Sequence, residues 1–238
     1  MSPRASHGSV GHGAAAGRDA GRASGVLAIF QEPSYRRLWA SGLCVNVVRW
    51  IDLVTLGWLA LELTGSPFMV ALAAFARSAP MMVVGPFAGI VADRVPRGHV
   101  LLVTQAAGAA TALVLATLFA SGAGGYEPLV ALEVVLGLVW ALDFPARRMA
   151  LFSLLGPSRV AQAISLETVS MQVGKMIGPL LAGLCLARLG PASCFALMTA
   201  LYAIGLVVSI GLHRAIAGPV QTASASVVSS LALGLRAA

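Results

Sequence analysis

Charge is scarce in this chain of 238 residues: Asp, Glu, Lys and Arg make up 11% of it, and aromatic residues 6%. A soluble domain carries about 25% charged residues to cover its surface. With 58% hydrophobic residues and a mean hydropathy of +0.87, this chain lacks that polar cover and reads as an integral membrane protein. Alternation of polar and apolar residues is also missing, which argues against a membrane β-barrel. Cysteine is sparse: Cys44, Cys185 and Cys194 are odd in number and lie in or beside apolar runs, so neither a disulfide framework nor a metal site is expected. Of the four histidines, His7 and His12 sit in a polar amino-terminal stretch and His99 and His213 at the ends of apolar runs. No serine is paired with a base by motif, so neither an enzyme nor a cofactor is expected. The net charge of +7 would suit nucleic acid, but the basic residues are spread between apolar runs rather than gathered with stacking aromatics. No nucleic-acid partner is expected.

What is present is six apolar runs, at about 39–61, 68–92, 99–122, 128–146, 162–186 and 191–212. Each is near the ~20 residues that cross a bilayer core of ~30 Å. The expected fold is an all-α membrane protein with six transmembrane helices. Residues 1–30, rich in Gly, Ala and Ser without an apolar core, read as a disordered cytoplasmic tail; 31–214 form the bundle and 215–238 a cytoplasmic segment.

The basic residues set the orientation. Arg4, Arg18, Arg22, Arg36, Arg37, Arg94, Arg97, Arg147, Arg148, Arg159, Arg214 and Arg236 fall on one side of a six-span chain, against Arg188 alone on the other. Positive charge is retained inside, which predicts a multi-pass protein of the inner (plasma) membrane with both termini cytoplasmic. "GIVADRVPRGHVLL" then lies on the inner side, between helices 2 and 3. Gly89 there allows close helix approach, and Asp93 suits the exposed amides at a helix start.

Gly89-x-x-x-Asp93-Arg94-x-x-Arg97 resembles the signature loop between helices 2 and 3 of the major facilitator superfamily. "EPSYRRLW", "LELTGSP", "GPFAGIVADR", "DFPARR" and "GKMIGPLLAG" are together similar to the bacterial group that includes the enterobactin exporter. Pro96 and Gly98 depart from the family, which usually has Gly or an acidic residue at the first position and a basic residue at the second. The resemblance implies one half of a major-facilitator fold, the amino-terminal one, and a conformational latch at Asp93, supported by Arg94 and Arg97. Arg147 and Arg148, placed at the end of helix 4, would favour its dipole and reach Asp93.

Inside the membrane, Asn46, Arg49 and Asp52 fall on one face of helix 1 at a spacing of three, which predicts an Arg49–Asp52 pair, functional or structural. Arg77, in a helix containing Pro80 and Pro86, presents a cation near mid-membrane that would suit an anionic solute, or else partner Asp52 or a helix 5 carboxylate. Thr168, Gln172 and the single lysine, Lys175, share a face of helix 5, with Glu167 adjoining it, as a cavity-lining stripe would. Gly174, Gly178, Pro179 and Gly183 form a small-residue packing motif on the same helix, similar to the helix 5 motif of proton-driven antiporters. Glu133, in helix 4 toward the outer side, could carry a proton, but a lone carboxylate near an interface is more often solvated or hydrogen-bonded, and it is left outside the pathway of Asn46, Arg49, Asp52, Arg77, Glu167, Gln172 and Lys175.

The expected function is secondary active transport: proton-coupled efflux of a small organic solute. Its expected partners are the bilayer, the solute and a second-half polypeptide or a second copy of the chain. The alternative is a membrane fragment or interaction module that does not transport.

Overall fold

The sequence Leu-Gly-Pro occurs twice at helix junctions, and both copies do the same work. Gly156 (φ +66°) and Gly190 (φ +81°) each stand alone between two helices, in a left-handed conformation that costs glycine little, and proline opens the next helix. The computed structural model describes residues 29–84 and 96–213, among which there are six long helices after a single 3-10 turn at Ile29–Gln31. They are α1 (Pro33–Thr64), α2 (Pro67–Val84), α3 (Arg97–Ala120), α4 (Tyr126–Leu155), α5 (Pro157–Leu189) and α6 (Pro191–His213). All six are long and apolar enough to cross a membrane.

α4 does not stop at residue 146. It runs through Pro145 to Leu155, so Arg147 and Arg148 are interior helix residues rather than C-terminal ones. An i,i+4 ion pair between Asp143 and Arg147 spans the proline and requires a continuous helix there. The expected continuation of helix 2 to residue 92, with Gly89, Asp93 and Arg94, lies outside the described residues.

α1 is the hub, packed against α2, α4, α5 and α6, while α3 and α6 make the most extensive pairing. Lipid tails are as apolar as leucine, so helices associate through close packing and polar contacts rather than by escaping solvent. The α3–α6 seam shows how. A Cβ on Gly108 would come within 2.7 Å of the Tyr202 ring, and one on Gly205 within 2.7 Å of Gln105. Each helix thus supplies a glycine that receives a large side chain of the other.

α5 closes on α1 in the same way. A Cβ on Gly174 would lie 2.8 Å from the Asn46 carbonyl, and one on Gly178 2.5 Å from Cβ of Trp50. Gly183 lies outside this contact, exposed and with open space where a side chain would stand. Val48, Ile51, Leu56, Leu115, Leu136, Phe195 and Met198 fill the main core, and Tyr35, Leu38, Leu101, Leu151 and Leu212 a second one toward the start of α1. Phe68, Met176, Leu180 and Val207 point outward, as residues facing hydrocarbon would.

Candidate functional site

Three helices bring three charges together where no motif announces them. Asp52 of α1 and Glu133 of α4 are sealed from the surface, and Arg77 of α2 reaches both. Its Nη2 lies 2.5 Å from Oδ2 of Asp52 and its Nε 3.6 Å from Oε2 of Glu133. The approach depends on Gly137, one turn beyond Glu133, against which the Arg77 backbone carbonyl packs where any Cβ would stand.

This corrects the expected Arg49–Asp52 pair: the partner of Asp52 is Arg77, the alternative the sequence left open. Arg49 instead holds its guanidinium 3.9 Å from the centroid of the Trp140 ring, a cation–π contact. Helical spacing put Arg49 and Asp52 on one side of α1, but the packing of α2 and α4 decided which cation Asp52 would meet. Glu133 is corrected as well. It is fully buried beside Asp52 and Arg77, not solvated at an interface. Its position within "VALEVVLGL" was the available signal, since a carboxylate amid residues of that kind rarely stays unpartnered.

Beside this cluster opens a cavity of about 440 Å³. Arg49, Arg77, Trp50, Trp140, Phe144 and Met171 line it, and among the described residues its lining includes no carboxylate. Arg77 forms part of its wall while remaining 14% exposed; the two carboxylates lie behind it. At the rim, Lys175 holds its ammonium 5.5 Å from the Trp50 ring centroid. Gln172 and Lys175 are exposed on α5. Glu167 is separate from them, half-buried beside a small void with Tyr35, Asn46, Arg147 and Ser170. Asn46 is committed to α5, donating from Nδ2 to Ser170 Oγ at 3.1 Å.

A second polar cluster holds α1, α3 and α4 together. Arg147 donates to Asp143 through Nε at 3.0 Å and Nη2 at 3.1 Å, and through Nη1 to Ser41 Oγ at 2.8 Å and the Leu38 carbonyl at 3.0 Å. Thr104 donates to Asp143 Oδ1 at 3.1 Å. Gly42 leaves room for the guanidinium. Charge and hydrogen bonds are balanced here, so the cluster fits a structural clamp. Sequence reasoning missed Ser41, Thr104 and Asp143; the four-residue spacing of Asp143 and Arg147 was the one legible sign. Arg148 lies over the Phe144 ring at 5.2 Å, and Arg97 donates to Ser153, joining the start of α3 to the end of α4.

Six long apolar helices, four of which line an open-sided cavity carrying two arginines, define a multi-pass membrane protein with half of a major-facilitator fold. The sequence profile of the transmembrane secretion effector family matches residues 24–238, and the chain belongs to that family of the major facilitator superfamily. It is 23% identical over 176 residues to the staphyloferrin A transporter of Staphylococcus aureus, covering 74% of this chain and 44% of that protein. An MFS-type transporter of Sinorhizobium fredii is 30% identical over 149 residues, 62% of this chain and 36% of its own length. One from Bacillus subtilis is 25% identical over 178 residues, 74% and 42% respectively. The chain thus spans less than half the length of the curated relatives it matches.

Proposed function

We propose that this chain supplies the amino-terminal bundle of a secondary active transporter that exports a small organic solute, coupled to protons, by alternating access. The cavity carries the reading: about 440 Å³ lined by Arg49, Arg77, two tryptophans and Phe144. A cavity of that size suits a small molecule. Two guanidiniums with aromatic faces suit an organic anion, its carboxylate on Arg49 and its apolar part against Trp50 and Trp140. Arg77 is already answered by Asp52 and Glu133, which leaves Arg49 as the more available cation. The likeness to a staphyloferrin A transporter supports a transported small molecule, and the family description supports outward movement.

The greater length of the relatives supports a second bundle closing the open side of the cavity, either a second-half polypeptide or another copy of this chain. The distribution of arginines supports cytoplasmic termini. Latch residues Gly89, Asp93, Arg94 and Arg97, with Arg147 and Arg148, remain assigned to the inner side. The structure gives Arg147 to Asp143 and Ser41, which favours a supporting role for it.

Efflux of radiolabelled aromatic carboxylates such as salicylate from proteoliposomes containing this chain and a second half tests the proposal. Saturable efflux that requires a proton gradient and falls at least tenfold in Arg49→Gln is expected. Efflux equal to that of empty liposomes across a panel of aromatic and aliphatic carboxylates would overturn it.

A further inference from the structure

The cluster at Asp52, Arg77 and Glu133 does not balance. Two carboxyl groups face one guanidinium, and among the described residues the other titratable groups that interact with the trio are Arg49 of α1, stacked on Trp140, and Tyr202 of α6. Among the described residues no hydrogen-bond donor is aligned on any of the four buried carboxyl oxygens, although Arg77 is close in distance. Arg77 spans the two carboxyl groups, 2.5 Å from Oδ2 of Asp52 and 3.6 Å from Oε2 of Glu133, so both acids draw on one cation. Two like charges sealed in one apolar site with a single matching cation favour one proton held between them.

We infer that Asp52 and Glu133 together form a single proton-binding site, holding one exchangeable proton between them when Arg77 is in place. This rests on, and gives a location to, the proton coupling proposed above. With the proton bound, one of the two carboxyl groups is neutral and Arg77 neutralises the charge of the other. On release, the carboxyl O–H bond breaks and the proton passes to water in the cavity, to which Arg77 is the wall. The two carboxylates then depend on one guanidinium, which is drawn toward them and away from the cavity. Proton occupancy and the position of the cavity cation are thereby tied together. Gly137 is the device that makes this possible, since it lets α2 approach α4 closely enough for one arginine to serve both acids.

Infrared difference spectroscopy of the chain in lipid nanodiscs, titrated from mildly acidic to mildly alkaline pH, tests this directly. The wild type should show the C=O stretch of one protonated carboxyl group at neutral pH, shifted in heavy water and lost on alkalinisation. Asp52→Asn and Glu133→Gln should each remove that band, because the one remaining carboxylate is then matched to Arg77; either variant suffices if the other does not fold. Arg77→Gln should extend the band to higher pH. A wild type without the band, or a band that survives both carboxyl substitutions, would overturn the inference. The coupling reading is judged separately by solute flux: a band present with flux indifferent to a proton gradient removes the coupling and leaves the site, whereas proton-driven flux without the band does the reverse.

Discussion

Gly137 of α4 lies directly beneath the backbone carbonyl of Arg77 on α2, in the space a methyl group would need. Through that contact the only described carboxylate pair shared by one arginine is assembled from three helices. The dependence can be tested at a residue that carries no charge.

Gly137→Ala should push α2 away from α4 and loosen Arg77 from Glu133. Overpacking of a close helix contact costs about 1–3 kcal/mol, so thermal unfolding of the purified chain in mild detergent should occur at a clearly lower temperature. Gly183→Ala is the control: with open space at the Cβ position, it should change stability by no more than about 0.5 kcal/mol. Equal effects of the two substitutions would contradict the packing described.

The Asp143–Arg147 clamp predicts strong non-additivity. Removing one partner of a buried pair costs about 3–5 kcal/mol, because the other is left charged and unmatched. Asp143→Leu and Arg147→Met should each destabilise the bundle sharply, and the double variant should be closer to wild type than either alone. Additive losses in a double-mutant cycle would mean that the pair contributes no coupling.

Arg49 and Trp140 are expected to act on solute affinity rather than on folding. A cation–π contact contributes about 0.5–2 kcal/mol, and Arg49 is only half-buried. Trp140→Leu should therefore leave the unfolding temperature nearly unchanged while weakening carboxylate binding, measured by calorimetry in detergent, by several-fold. Unaltered binding with lost stability would make the contact structural.

Orientation is checked with single cysteines in a variant whose Cys44, Cys185 and Cys194 are replaced by alanine. Ala123 and Arg159 are both exposed, in the turn after α3 and at the start of α5. A membrane-impermeant maleimide applied to intact cells should label Ala123→Cys and spare Arg159→Cys. The opposite pattern would place both termini outside.

The sequence by itself determined that this is a membrane protein of six helices, because hydrocarbon thickness and the need to satisfy every backbone amide leave few other outcomes for runs so apolar. It also determined the small-residue face at Gly174 and Gly178, where local geometry is encoded by the residues themselves, whereas the junction of α4 and α5 at Gly156 lies ten residues beyond the apolar run expected to end at 146. The partners of the buried charges were decided only by tertiary structure. Arg49 and Asp52 are neighbours along α1, yet an arginine side chain is long enough to choose among several directions, and Trp140 took it. Asp52 and Glu133 are 81 positions apart, and nothing in either segment names the other. Their meeting follows from how closely three helices pack, which a glycine on α4 permits but one-dimensional periodicity does not show. Ser41 and Thr104 were invisible for the same reason: a hydroxyl in an apolar run usually bonds back to its own helix, and only the packed bundle brings these two to Arg147 and Asp143.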